Sequence, residues 1–372
     1  MSQYTLYGWH LSYFSGKLRS YLEYKQIPYT DRNANLYQLM FQGKRKTGVV
    51  AIPLLRTPEN HWMQDTSESI EYLEQRFPER SVIPTAPRQR FLSYWLEAWA
   101  DEWWIPIAMQ TRWRHPENYS LFEREAGGSL LPGFPRRLQN MAAARIATRL
   151  RGYLPAVGVR TEQDELLSRW TVRMLDLLDR HFSEHRYLLG SRVSLADFAL
   201  TGPMYGHLGR DPWPARELIA PRKHLRAWID RMAKPSASDR AEGEWLPNDE
   251  LPTTLQPIIA STFREFLPMV AAIAGQLSTL AGEWPTDRRV PRTLQDVEAP
   301  LDEGGFRRAA MPYTLWMTQR ALSKIDELPD AEAQQLRSWL MAQGVATLLE
   351  LGQPALQRDG LQARFKPVTR DP

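Results

Sequence analysis

The sequence predicts an α+β amino-terminal domain with the order β-α-β-α-β-β-α, then an all-helical domain and further helices. Three observations carry that prediction. Tyr4-Thr5-Leu6-Tyr7-Gly8 is short, aromatic and β-branched, as a strand is, and a helical apolar face (Leu18, Tyr21, Leu22, Tyr24) follows it. Val50-Ala51-Ile52-Pro53-Leu54-Leu55 is an apolar run of strand length, and its proline cannot donate to a sheet ladder, so it belongs at a strand entry or edge. From Ala86 onward the apolar residues recur at helical spacing, beginning with Phe91, Leu92, Trp95, Leu96 and Trp99.

Within the first domain the turn Trp9–Gly16 leads into the first helix, and Ile27-Pro28-Tyr29 opens the second strand. A last short strand ends near Met63. Asp65-Thr66 then starts a helix whose Ile70, Leu73 and Phe77 share one face. Taken singly, Asp65 or Thr66 reads as an ordinary N-cap and Pro53 as an edge proline. Together they form a strand–turn–helix corner where a carboxylate, a hydroxyl and free main-chain groups gather. A cis peptide at Pro53 is one way to turn those main-chain groups outward. The β-α-β unit with the proline strand, the last strand and the Asp65 helix is a thioredoxin-like pattern. Ser12-Tyr13-Phe14-Ser15 stands where such oxidoreductases carry two cysteines, and this chain has hydroxyls there.

Composition narrows the chemistry. With 372 residues, two or three domains are expected, and 43% hydrophobic residues suffice for a large core. A net charge of +4, with basic and acidic residues interspersed, reads as no nucleic-acid footprint. No run of 18 apolar residues is present and the amino terminus has no signal-peptide pattern, so a cytoplasmic protein without a membrane partner is expected. There is no cysteine, which excludes disulfides, thiolate nucleophiles and cysteine metal sites. His181 and His185 stand at i, i+4, but no glutamate follows His181 as a zinc protease requires; a solvated helix face is expected and no metal site.

In the second domain, Tyr94, Trp95, Trp99, Trp103, Trp104 and Trp113 make an aromatic-rich helix, kinked by Pro106, that reads as buried on two sides. One or two of these rings at the end nearer the first domain are alternatives for lining an apolar pocket. Residues 115–160 read as a Gly-, Pro- and Arg-rich insertion with one short helix near Arg137–Leu150. Glu162–His185 reads as a long amphipathic helix. Ser194 and Asp197 make a capping box with Val193 and Phe198 as its staple. Leu225, Trp228, Ile229 and Met232 complete a last helix before Pro235. Residues 236–250 read as a linker, and helices are expected over 255–280, 306–325 and 331–351, with a loop over 284–305, as an annex packed on the second domain.

Ile52-Pro53-Leu54-Leu55 followed by Asp65-Thr66-Ser67-Glu68-Ser69-Ile70-Glu71-Tyr72-Leu73-Glu74, with the capping box at Ser194 and Asp197, resembles the glutathione transferase family over about residues 1–235. The resemblance implies a thioredoxin-like glutathione-binding domain (1–82) and an all-α glutathione transferase carboxy-terminal domain (86–235), ahead of a helical extension (250–372). It implies glutathione as cofactor, an apolar electrophile as second partner, and a homodimer. By the resemblance, the backbone of Ile52 before cis-Pro53 binds the cysteinyl part, and Asp65 with Thr66 binds the γ-glutamyl end. Asp-Thr here departs from the family's usual Glu-Ser pair. The thiolate partner is matched to Ser12, with Ser15 and Tyr7 as rivals. His10 is read as a surface-loop histidine, with a substrate contact as the alternative, Tyr4 is expected inside the sheet, and Lys17 or Gln38 are candidates for the glycyl carboxylate. Two functions follow: a glutathione-dependent transferase or lyase of detoxification type, or a glutathione-binding scaffold without turnover.

Overall fold

A computed structural model describes residues 3–241 and 243–367. Strand β1 (Tyr4–Gly8) is central because both its neighbours need it: β2 (Tyr29–Asn33) pairs with it in parallel and β3 (Leu54–Arg56) antiparallel. Helix α1 (Tyr13–Tyr24) makes the crossover between β1 and β2. Strand β4 (Trp62–Gln64) closes the order β2-β1-β3-β4. Between β2 and β3 run a wide π-type turn at Gln38–Gly43 and the short helix α2 (Lys44–Thr47), which stops at Gly48 with φ 76°. Helix α3 (Thr66–Arg76) follows β4 directly. This is the thioredoxin-like domain, with Pro53 cis after Ile52 and immediately ahead of β3.

Helix α4 (Pro87–Trp103) is buried all round from Phe91 to Trp103, as its apolar and aromatic density requires. Pro106 does not bend one helix but begins another, α5 (Ile105–Arg114). The insertion holds two helices rather than one, α6 (Glu117–Leu130) and α7 (Arg136–Arg151). The glycines that hide α6 in the sequence are there for contact: a Cβ on Gly127 would sit 2.6 Å from the Gln139 carbonyl oxygen of α7. Helix α8 (Asp164–Glu184) and helix α9 (Leu195–Pro203) follow as expected. Asp197 holds the start of α9, accepting from the Ser194 N–H at 2.9 Å and hydroxyl at 2.8 Å, and also from the Leu188 N–H and the Trp228 indole. The one-turn helix α10 (Pro212–Pro214), α11 (Lys223–Ala233) and α12 (Ala237–Ala241) complete this part.

His181 is not on a solvated face. It is buried, with Nδ1 2.9 Å from the Thr254 hydroxyl and Nε2 3.2 Å from the Tyr187 carbonyl oxygen, and among the described residues no cluster suited to a metal occurs.

The extension departs most from expectation. Helices α13 (Gln256–Ser261) and α14 (Leu267–Ala281) form one continuous run from Thr253 through a wide turn. That run is long and apolar enough to cross a membrane by composition, yet most of it lies inside the protein, with Phe266, Val270, Ile273 and Leu277 in the core. The segment expected as loop contains a hairpin, β5 (Asp296–Leu301) with β6 (Gly304–Ala309). Val297, Ala299 and Leu301 alternate inward with exposed neighbours, a strand period easily lost beside Pro300. Phe306 therefore sits in a strand, and the helix expected at 306 starts at Pro312 as α15 (Pro312–Asp326). Helix α16 (Asp330–Ala342) and a second hairpin, β7 (Leu356–Asp359) with β8 (Gln362–Phe365), end the described chain. The annex does not pack on the second domain alone. It reaches α3 and the loop before Pro53 as well.

Candidate active site

The end of β1, the start of α1 and the entry to β3 meet because Tyr7 pairs with Leu54, the residue after Pro53. Ser12 is the N-cap of α1, in extended conformation, and its Oγ accepts from the Ser15 N–H at 3.4 Å. It is half-buried, and its hydroxyl hydrogen is left for another acceptor. The first N–H groups of the helix, Tyr13 and Phe14, have no intrahelical acceptor and carry the positive end of the helix dipole. Ile52 is half-buried beside this point, and its main-chain N–H and C=O make no hydrogen bond among the described residues.

The rival hydroxyls are placed elsewhere. Ser15 is fully buried beneath β1, with its Oγ accepting from the Trp9 N–H at 3.3 Å. Tyr7 is buried and stacks flat on Trp62, centroids 5.3 Å apart. Tyr4 packs in the sheet as expected, against Phe77. His10 is exposed at the turn.

Asp65 has φ 100° and caps α3: Oδ1 accepts from the Ser67 N–H at 2.9 Å and the Glu68 N–H at 3.1 Å. Its second oxygen is taken by the hydroxyl of Tyr313, from α15 of the extension. Loss of water, with the Asp65 charge beside it, pushes the Tyr313 phenol well up, so it remains a donor. Arg358 on β7 adds bonds to Glu68 and, at 3.3 Å, to the Gln64 carbonyl oxygen of its side chain. Thr66 is buried behind Asp65. The corner expected to take a γ-glutamyl end is therefore already held by two side chains of the extension, Tyr313 and Arg358, which stand in no recognisable motif.

Lys17 is not available to a glycyl carboxylate. It is wholly buried, with Nζ 2.7 Å from Glu97, 2.6 Å from Asp101 and 3.1 Å from the Ser67 hydroxyl. Gln38, the other candidate, is half-buried and trades bonds with Asn35 across a turn, Oε1 accepting from the Asn35 N–H at 2.8 Å. Arg320 of α15 joins the Lys17 network, 2.6 Å from Glu97 and 2.9 Å from Glu71. Burial alone would raise Glu97; Arg320 and Lys17 hold it below its usual range instead. Burial lifts Asp101 to about 7, with the Glu97 charge adding to it and Lys17 opposing. The cluster ties α1, α3, α4 and α15 together beneath the corner and has no open side for a substrate.

No curated protein sequence matches the chain. Residues 6–81 match the glutathione S-transferase amino-terminal domain, and residues 171–231 match the glutathione S-transferase carboxy-terminal domain. Among solved structures, a glutathione S-transferase from Rhodospirillum rubrum is similar at 18% identity, covering 67% of this chain and 96% of that one, with a TM-score of 0.40. The β-etherase LigF from a Sphingobium strain is similar at 20% identity, covering 62% and 95%, with a TM-score of 0.43. A glutathione S-transferase from Methylobacterium radiotolerans, solved with glutathione sulfonate, is similar at 18% identity, covering 67% and 99%, with a TM-score of 0.40. Both domains of that family are thus matched in order, on a thioredoxin-like sheet followed by helices, so the chain carries a glutathione S-transferase-like fold followed by a further stretch that neither domain model covers.

Proposed function

We propose that the chain is a glutathione-dependent transferase or lyase acting on an apolar electrophile, with Ser12 stabilising the thiolate. The observation that carries this reading is the placement of Ser12: a half-buried N-cap whose hydroxyl hydrogen is uncommitted, at a helix start with unpaired amides, beside the unused main chain of Ile52. In this reading the Ile52 N–H and C=O hold the cysteinyl part of glutathione in extended form. The Tyr13 and Phe14 amides and the Ser12 hydroxyl favour a sulfur anion and lower the thiol's pKa. The anion's lone pair forms a bond to the electrophilic carbon. The leaving group, a halide or an alkoxide, departs with its electron pair, and an alkoxide takes a proton from solvent. Apolar residues around the turn, Trp9 and Leu11 among them, keep that step dry.

Asp65 and Thr66 remain the proposed γ-glutamyl contacts, on the condition that the ligand ammonium replaces the Tyr313 hydroxyl at Oδ2 of Asp65. That condition also supports a second reading, a scaffold whose corner is permanently held by Tyr313 and Arg358. Retention on immobilised glutathione followed by thiol consumption with an aryl halide separates the two: turnover supports the enzyme, retention without turnover the scaffold. Pairing of two copies, implied by the resemblance, would have to use a surface other than the α3–α4 side that α15 covers. A monomer mass by light scattering at micromolar concentration removes the homodimer from the proposal.

A further inference from the structure

Eight of the ten large apolar side chains exposed among the described residues lie in two short stretches. One is the segment after β2, where Leu36, Tyr37, Met40 and Phe41 are 46, 61, 42 and 64% exposed, with Val50 close behind in sequence. The other is the tip and first turns of the α6–α7 hairpin, where Phe134, Leu138 and Met141 are 55, 44 and 68% exposed. Scattered single apolar residues on a surface need no account, but such concentration does.

The same two stretches are free of acid. No Asp or Glu stands between Asp31 and Glu59, or between Glu125 and Glu162, in a chain that otherwise interleaves its charges. The first stretch carries Lys44, Arg45 and Lys46. In the second, the exposed Arg137, Arg145 and Arg149 lie on one stripe of α7 with Leu138 and Met141, with Phe134 in the turn just ahead of the helix, and Ala143 and Ala147 face inward on the opposite side. Among the described residues none of these six cations pairs with a carboxylate. Leu39 from the first stretch and Ala143 and Ala147 of α7 belong to one small apolar cluster, so both patches border the same ground.

Exposed rings and aliphatic chains beside unpaired cations on a helix lying along the surface fit an amphipathic partner with apolar depth and negative charge. A nucleic acid offers the charge without the depth. We propose that this face, the α6–α7 tip with the segment 36–50, docks on the surface of an anionic lipid bilayer. The arginines and lysines meet the headgroups while Phe134, Met141, Tyr37 and Phe41 enter the headgroup–acyl boundary. The protein would rest on the bilayer and not span it, since the one sufficiently long apolar helical run among the described residues is mostly packed inside. The cluster under the docking face also contains Leu11 and Ile52, next to Ser12. Under the proposed function, which this last step rests on, an apolar electrophile dissolved in the bilayer would enter there.

The full chain is sedimented with phosphatidylcholine vesicles and with vesicles holding about 30% phosphatidylglycerol, at low and high salt. Co-sedimentation with the anionic vesicles only, weakened by salt, is expected. Phe134→Ser with Met141→Ser and, separately, Arg145→Glu with Arg149→Glu should each weaken it about tenfold or more. All four side chains are exposed, so unfolding midpoints should hold. Should either variant fail to fold, the vesicle comparison with the unaltered chain still decides. Sedimentation with neither vesicle, or equally with both, overturns the proposal. So does a dimer that becomes a monomer in the serine variant, which makes the face a self-contact, or preference for a DNA duplex over anionic vesicles. None of these outcomes depends on turnover, so failure here and failure of the transferase reading are distinct.

Discussion

At the scale of single residues, Ser12 and Arg320 make different demands. Ser12→Ala removes a hydroxyl that meets the ligand only at the sulfur, besides its long cap bond from the Ser15 N–H, so glutathione binding should survive while conjugation near neutral pH slows on the order of 10²-fold. The loss should shrink at high pH, where solvent supplies the thiolate, and stopped-flow rates across pH check this. Tyr7→Phe is the control: its ring is buried against Trp62, and a small effect is expected. A dead Tyr7→Phe beside an active Ser12→Ala would reassign the hydroxyl. Arg320→Met tests the buried network. It leaves Glu97 with only one cation, Lys17, and should cost about 3–5 kcal/mol in chemical denaturation. Combined with Glu97→Gln the loss should be smaller than the sum of the single losses, because both act on one interaction. An additive pair would mean that Arg320 and Glu97 are not coupled in solution.

At the scale of elements, what the sequence reveals follows how local the signal is. Strand β1, the cis-proline entry to β3, the Asp65 cap and the Ser194–Asp197 box are each written in a few adjacent residues, and each is where the spacing puts it. Helix α6 and the β5–β6 hairpin were illegible because Gly127 and Pro300 break the local pattern for reasons of packing. The Tyr313 contact joins residues 248 positions apart, and no local pattern announces such a pair. Lys17 misled for the same reason: a lysine near a turn reads as exposed until α4 and α15 are folded over it. The Tyr313 contact carries its own prediction. Tyr313→Phe frees one oxygen of Asp65, and glutathione affinity by calorimetry should rise, by a few fold to tenfold for one hydrogen bond of about 0.5–1.5 kcal/mol. Unchanged or weaker affinity would show that the ligand does not use Asp65.

At the scale of the whole molecule, the extension is part of the fold and not an appendage. Its α15 supplies Arg320 to Glu97 and Glu71, Thr314 to Glu102 at 2.6 Å and Tyr313 to Asp65, while Thr254 at its start bonds His181 of α8. The His181 contact makes the union sensitive to pH. Burial lowers His181 to about 4 from 6.5, since the charged ring would lose water, with the neighbouring His185 adding to the shift and the bond to the Tyr187 carbonyl opposing it. The unfolded chain therefore binds the proton more readily than the folded one. This contribution to stability is complete above about pH 6.5 and declines as pH falls toward 4, by up to roughly 3 kcal/mol. Asp197, raised to about 6 by burial, titrates in the same window with the opposite sign, because its folded form holds a proton that the unfolded chain has lost. The two are separated by difference: His181→Gln should flatten the acid decline in unfolding free energy between pH 6.5 and 4 relative to the unaltered chain, leaving the Asp197 contribution in both. Parallel curves for the two proteins would mean that His181 takes up its proton at the same pH in the folded and the unfolded chain. In that case the seam between α8 and the start of the extension is held by apolar packing, Ile258 and Leu255 against α8, without the histidine.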